Sequence, residues 1–203
     1  VTNIIPINLA VEDALSEAVA RKMLTASGQN YIVGSCYMKY GKSYLQRLIK
    51  GLNDAAKGTP FLVLTDLDSE ECAPLLIRSW LPIPVHPNLL FRVAVREVEA
   101  WVLADATALA EYFSMSPAAI PARVDDIDDP KKCLIGLAAR SRVRRLREDI
   151  VPKGGSTAKQ GPNYNGRLVA FVENCWEPAK AEARSPSLHD ALDRLRTFRP
   201  TWV

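Results

Sequence analysis

The chain has 203 residues, enough to bury one good hydrophobic core, and its 48% hydrophobic and 24% charged residues are ordinary for a folded globular protein. A formal net charge of +3 neither demands nor excludes a polyanionic partner. Four scattered cysteines, Cys36, Cys72, Cys133 and Cys175, form no C-x-x-C pair, which argues for reduced thiols and against a disulfide frame or zinc site. Two distant histidines, His86 and His189, leave few candidates for histidine-rich zinc chemistry or a Ser-His-Asp triad. No apolar run approaches the ~18 residues of a membrane span and no signal peptide is visible, so the expectation is a soluble, cytoplasmic protein without a membrane partner.

In chain order, Ile4 to Val11 reads as a strand, interrupted only by Pro6, and runs into Glu12-Asp13. Ala14, Leu15, Ala18, Val19, Met23 and Leu24 then keep helical spacing, with Asp13 suited to the N-cap and Gly28 to the stop. Tyr31 to Tyr37 is a second strand, and Lys42 to Ala56 a helix with Leu45, Leu48, Ile49 and Leu52 on one face. Phe61 to Leu64, entered through Pro60 and left through acids, has the look of a strand buried on both faces. A helix over Glu70 to Leu81 stops at Pro82, Pro84 and Pro87, and Leu89 to Val95 is a fourth strand. Arg96-Glu97-Val98-Glu99-Ala100-Trp101 opens a helix expected to continue to about Phe113.

Four strand-helix units in succession predict an α/β fold, a parallel sheet flanked by helices with right-handed crossovers. After Ser114 the character changes. A turn-rich connection through Asp125-Asp126-Ile127-Asp128-Asp129 leads to an expected helix over Lys131 to Asp149, a glycine-rich loop over Pro152 to Gly166, and helices over Arg167 to Glu177 and Ser187 to Phe198. The expected division is an α/β domain over 1–113 and an α-helical C-terminal extension over 114–203 packed on it.

The chemistry concentrates where strands end. Asp66 and Asp68 are two residues apart, so in extended backbone their carboxylates point the same way. Such a pair is costly unless a proton or a hard cation lies between them. In open α/β sheets ligands bind beyond the carboxyl ends of the strands, and Glu12 falls at that end of the first strand. If the first and third strands are neighbours, Glu12, Asp66 and Asp68 offer three oxygen ligands suited to Mg²⁺ or Mn²⁺. The alternative is that these acids only cap the following helices, where the helix dipole favours them.

Two further groups stand out. Glu97 and Glu99 flank the junction after the fourth strand, beside Arg96, which suits either a phosphate or this crowd of acids. Arg140, Arg144 and Arg147 are spaced to share one helical face, a pattern fitted to a phosphate backbone or simply to solvent. Lys153 and Lys159 follow in the glycine-rich loop, whose spacing is not that of a Walker A loop.

A glutamate after the first strand and an Asp-x-Asp after the third resembles the Toprim fold of topoisomerases, primases and overcoming-lysogenization-type nucleases. The resembling residues are Val11-Glu12-Asp13-Ala14-Leu15-Ser16-Glu17, Leu64-Thr65-Asp66-Leu67-Asp68 and Val95-Arg96-Glu97-Val98-Glu99-Ala100-Trp101, within roughly the first 110 residues. One departure is Asp13, where Toprim proteins usually carry glycine. The resemblance implies Mg²⁺-dependent hydrolysis of DNA or RNA, with Glu12, Asp66 and Asp68 on the metal and Glu99, with Glu97, supporting it or a second ion. It also implies a lysine, for which Lys159 is the candidate, that stabilises charge on an oxygen at phosphorus. Small bacterial proteins of this kind imply a second reading, a non-catalytic or partner-activated subunit beside an ATPase in phage defence. The oligomeric state, homo-oligomer included, is left open.

Overall fold

Four apolar runs form the sheet of the computed structural model, which describes residues 4–39 and 41–202. They are β1 (Ile5–Val11), β2 (Tyr31–Met38), β3 (Phe61–Asp66) and β4 (Leu89–Ala94), all parallel, in the order β2-β1-β3-β4. Crossovers run through α1 (Ala14–Ala26), α2 (Lys42–Ala55) and α3 (Ala73–Trp80). The chain then continues through α4 (Val98–Ala104), α5 (Ala106–Phe113), α6 (Pro130–Ala139), α7 (Arg144–Ile150), α8 (Tyr164–Asn174), α9 (Pro178–Ala181) and α10 (Pro186–Thr197). The fold is α/β, with the parallel sheet and flanking helices expected from the alternation.

Period-two alternation divides the sheet between two cores. Phe61 and Val63 of β3 face Leu45, Ile49 and Leu76 of α2 and α3. Leu62 and Leu64 face the larger core, where Val19 and Met23 of α1 meet Trp101, Phe171, Trp176, Leu188 and Phe198. Residues beyond Ser114 therefore complete the cover of one sheet face. Each such aromatic or leucine contributes about 1.5–3 kcal/mol by leaving water. Pro6 is tolerated in β1 for a geometric reason. Ile5 N–H points to β2 and Asn8 N–H to Pro60, so the N–H that Pro6 lacks would point to the β3 side, before β3 begins.

Three expected helices are shorter or broken. The segment from Glu70 begins only at Ala73, with Pro74 in its first turn, and Glu70 and Glu71 lie in the turn ahead. The helix expected to reach Phe113 is interrupted at Asp105, whose Oδ1 caps Ala108 N–H at 3.2 Å and whose Oδ2 accepts Glu177 N–H at 2.9 Å. The helix expected over Lys131 to Asp149 ends at Ala139 and restarts at Arg144. There the buried Ser141 turns its hydroxyl to Phe113 O at 2.7 Å and takes Val143 N–H at 3.1 Å, a local bond that competes with the helix.

The amino ends of the strands are closed by the C-terminal segment. Gln29 Nε2 donates to the carbonyls of Leu195, Arg196 and Phe198. The fully buried Asn88 donates to Ala56 O at 3.1 Å and Thr201 O at 2.8 Å, and accepts Thr201 N–H at 2.8 Å.

Candidate functional site

At the opposite, carboxyl end of the sheet, β1 and β3 pair side by side with Val11 opposite Leu64, which brings Glu12 beside Thr65 and Asp66. Glu12 Oε1 accepts the Thr65 hydroxyl and Asp66 N–H, the latter at 3.1 Å. Asp66 turns Oδ1 to Val98 N–H at 2.8 Å and so caps α4 from across the sheet. Asp13, next to Glu12 in the chain, takes Ser16 N–H at 2.8 Å as the α1 N-cap, in extended backbone (φ −153°) that needs no glycine.

Asp68 sits at φ +54°, a left-handed conformation in which aspartate is enriched, and pairs through Oδ2 with Lys42 Nζ at 2.8 Å. Arg96 Nη1 donates to the carbonyls of Asp68 (3.1 Å) and Glu70 (3.2 Å), and Asp68 N–H donates to Arg96 O at 2.8 Å. Arg96 thus braces the loop that carries the second aspartate. Glu99, only 4% exposed, accepts Tyr164 OH at 3.0 Å and lies 3.3 Å from Lys131 Nζ. Glu97 Oε2 accepts Lys131 N–H at 3.0 Å.

These contacts satisfy one oxygen of each acid; Asp68 and Glu99 each have a lysine beside them, and Glu12, Asp66 and Glu97 form no ion pair among the described residues. Burial pushes the Asp66 carboxyl well above the carboxylate range, and the charges of Glu99, Glu12 and Asp68 add to it against the Val98 hydrogen bond. Burial also raises Glu12, against the bonds from Thr65 and Asp66, and raises Glu97 together with the charge of Glu99. Burial lowers the proton affinity of Lys131, but Glu99, Glu97 and Asp66 outweigh it and raise its pKa. Burial and Glu99 push the Tyr164 hydroxyl up, so it stays a donor.

The donor set is all carboxylate oxygen, the chemistry a hard divalent cation takes. Its spacing is not that of a finished cage: among the described residues no three His, Cys, Asp or Glu side chains are grouped to hold a metal ion. The acids fit a cation by chemistry, and gathering three of them round one requires their side chains to move from these positions.

A cleft of about 740 Å³ opens beside this rim, lined by Asp68, Arg96, Glu97, Lys131 and Lys159 among others. The loop lysine Lys159 and Asp68, the second acid of the Asp-x-Asp motif, thus face one space. No family model and no curated protein matches the chain. Among solved structures it is similar to the C-terminal region of the Burkholderia pseudomallei OLD protein, with 16% identity over 94% of this chain and 96% of that one and a TM-score of 0.49. At that level the likeness assigns no residue and no activity.

The arginine group does not assemble as the spacing predicts. Arg140 caps the end of α6 and Arg144 opens α7, so the break at Ser141 denies Arg140, Arg144 and Arg147 a common helical face. Arg147 Nη1 is turned to Ser141 O, and Arg144 is paired with Glu148 at 2.7 Å. None of the three lines the cleft, nor does Lys153, which sits by Arg147 in a separate hollow. Conversely, Lys131, Tyr164 and Lys42 contact the acids and were not assigned to them by sequence reasoning. Lys131 follows Asp129-Pro130 at a helix start, and no sequence spacing ties it to Glu99. No described helix is long and apolar enough to cross a membrane.

Proposed function

We propose that the protein hydrolyses phosphodiester bonds of DNA or RNA, with Mg²⁺ or Mn²⁺ held by Glu12, Asp66 and Asp68 and supported by Glu99 and Glu97. The observation that carries this reading is the approach of carboxylates from three strand ends to one rim beside an open cleft, where the charges of Glu99, Glu12 and Asp68 bear on Asp66. The Toprim-like motifs of the sequence point the same way. A bound cation would lower the pKa of an attacking water and polarise the phosphate. The chain's own groups do the rest. Val98 N–H and Thr65 hold Asp66 and Glu12 in place, while Arg96 fixes the loop of Asp68. Lys131 and Lys159 face the cleft as cations where phosphate charge would develop. Tyr164 donates to Glu99 and keeps one oxygen of that acid occupied.

The test is cleavage of labelled single- and double-stranded DNA and RNA with and without Mg²⁺ or Mn²⁺, alongside Mn²⁺ binding followed by paramagnetic resonance. Asp66→Ala and Asp68→Asn should each lower cleavage at least about 100-fold and weaken Mn²⁺ binding, with the fold intact by circular dichroism. Full activity in both variants ends the proposal. One observation favours a second reading, a partner-activated subunit of an ATPase-containing phage-defence complex. The acids stand hydrogen-bonded to protein and are not gathered around an ion position. Mn²⁺ binding without cleavage by the isolated protein, and cleavage on adding an ATPase partner, would select it.

A further inference from the structure

Lys131 combines a fixed root with a free tip. It stands in the first turn of α6, behind Pro130 and the N-cap Asp129, whose Oδ1 accepts Lys132 N–H at 2.7 Å. Its own N–H is held by Glu97 Oε2 at 3.0 Å. From that anchored backbone extends a flexible four-carbon stem, on which the ammonium swings without moving the helix. The tip points inward. Nζ lies 3.3 Å from Glu99 Oε1, the oxygen that also accepts the Tyr164 hydroxyl, and 5.9 Å from the centre of the Tyr164 ring.

This lysine stands between the acids and the open space. It lines the cleft together with Glu97, whereas Glu99 and Asp66 are not part of the cleft wall. The charges of Glu99, Glu97 and Asp66 all bear on its ammonium, and Glu99 has no other ion pair among the described residues. An ammonium and a divalent ion drawn to the same carboxylates repel each other, most strongly where water is scarce. The way out for the ammonium is the cleft that the stem already lines, which is where a phosphate would enter.

We propose that Lys131 is a built-in placeholder, which pairs with Glu99 until a divalent ion binds and then swings into the cleft to meet the phosphate. The inference rests on the metal reading above and adds to it a coupling between two ligands. Metal binding frees the cation that the phosphodiester needs. By linkage, a bound phosphodiester that draws Lys131 outward strengthens metal binding by the same factor.

The first test is Mn²⁺ affinity, read by paramagnetic resonance without substrate. Lys131→Met keeps the length of the side chain and removes its charge, and should bind Mn²⁺ at least about tenfold more tightly than the unaltered protein. Lys131→Arg should show no such gain, and adding Asp66→Ala to Lys131→Met should abolish it. The second test uses the unaltered protein and stands if Lys131→Met does not fold. Nuclear Overhauser contacts between the Lys131 side chain and the Tyr164 ring should be present without divalent ions and lost at saturating Mg²⁺. For the coupling, Mg²⁺ should raise the affinity for a phosphorothioate oligothymidylate at least about fivefold more in the unaltered protein than in Lys131→Met. Asp66-dependent Mn²⁺ binding that Lys131→Met leaves unchanged or weakens would overturn the placeholder and leave the metal reading standing. Contacts to Tyr164 that survive saturating Mg²⁺ would do the same, and an equal rise in oligonucleotide affinity would overturn the passage of Lys131 to phosphate. Absence of Asp66-dependent Mn²⁺ binding in every variant would end both.

Discussion

The acids at the sheet rim and the arginines around Ser141 are both dense charge clusters in sequence, and the fold treats them oppositely. Glu12, Asp66 and Glu99 come from separate elements and are tied to backbone or buried side chains, and the charges of Glu99 and Glu12 add to burial in raising the proton affinity of Asp66. Arg144 pairs with Glu148 one turn away on an exposed surface, and Arg147 satisfies a carbonyl of its own connection. Exposed i,i+4 pairs contribute little, because solvent screens them. Charges near in sequence find each other cheaply. Charges brought together from distant segments persist only where the rest of the fold holds them, and that is where chemistry can be done.

The largest expected effect tests the rim directly. Asp68→Asn removes a charge without removing bulk and should lower divalent-dependent cleavage at least about 100-fold, read in a steady-state assay. Arg144→Ala, assayed beside it, should leave the turnover rate unchanged. Equal losses in both would erase the contrast between the clusters.

A second test concerns how tightly the rim is held. Tyr164→Phe leaves the buried Glu99 short of a donor and should cost about 1–3 kcal/mol. In a chain of this size each kcal/mol corresponds to a fall of about 2–4 °C in Tm. An unchanged Tm in differential scanning calorimetry would mean that Lys131 alone suffices for Glu99.

The third sharpens the electrostatics. Asp66 binds its proton more tightly folded than unfolded, so over the window from the ordinary carboxylate range up to its raised pKa the folded chain holds more protons. Its contribution to stability is therefore lost as pH rises through that window. Without divalent ions, Asp66→Asn should be more stable than the parent above this window, by about 2–4 °C in Tm for ~1 kcal/mol, and the difference should vanish in acid. Mn²⁺ should stabilise the parent more as pH rises and leave the variant unaffected. A gain for the variant that persists unchanged in acid would show that its cause is packing.

The smallest effect belongs to the arginines. Arg144→Ala should leave Tm where it is and change the slope of log binding constant against log salt, for a nucleic-acid oligomer, by about one unit at most. A larger change would restore this cluster as an interface.

Strand ends were the most readable part of the chain. Phe61 to Leu64 is apolar throughout because both faces of β3 are covered, and the polypeptide can leave such a strand only through polar residues, here Asp66 and Asp68. That Glu12 lies beside them depends on β1 pairing with β3, a tertiary choice that no local pattern encodes. Lys131 escapes for the same reason, since its partner Glu99 is close only after α6 docks against α4. The breaks at Asp105 and Ser141 escape because the bonds that favour them reach to Glu177 and Phe113. Helical periodicity continues across both sites, so the sequence alone reads them as uninterrupted.

The Asn88–Thr201 clasp has a consequence for how the molecule can come apart. Thr201 is bonded to Asn88 where β4 begins, and Gln29, just ahead of β2, is bonded to the backbone from Leu195 to Phe198. Cutting the chain after Arg194 would unfasten the mouth of the sheet farthest from the carboxylates. Such a nick would be sensed first as fraying at Tyr31 and Leu89, while the ion-binding margin kept its shape until the whole assembly gave way.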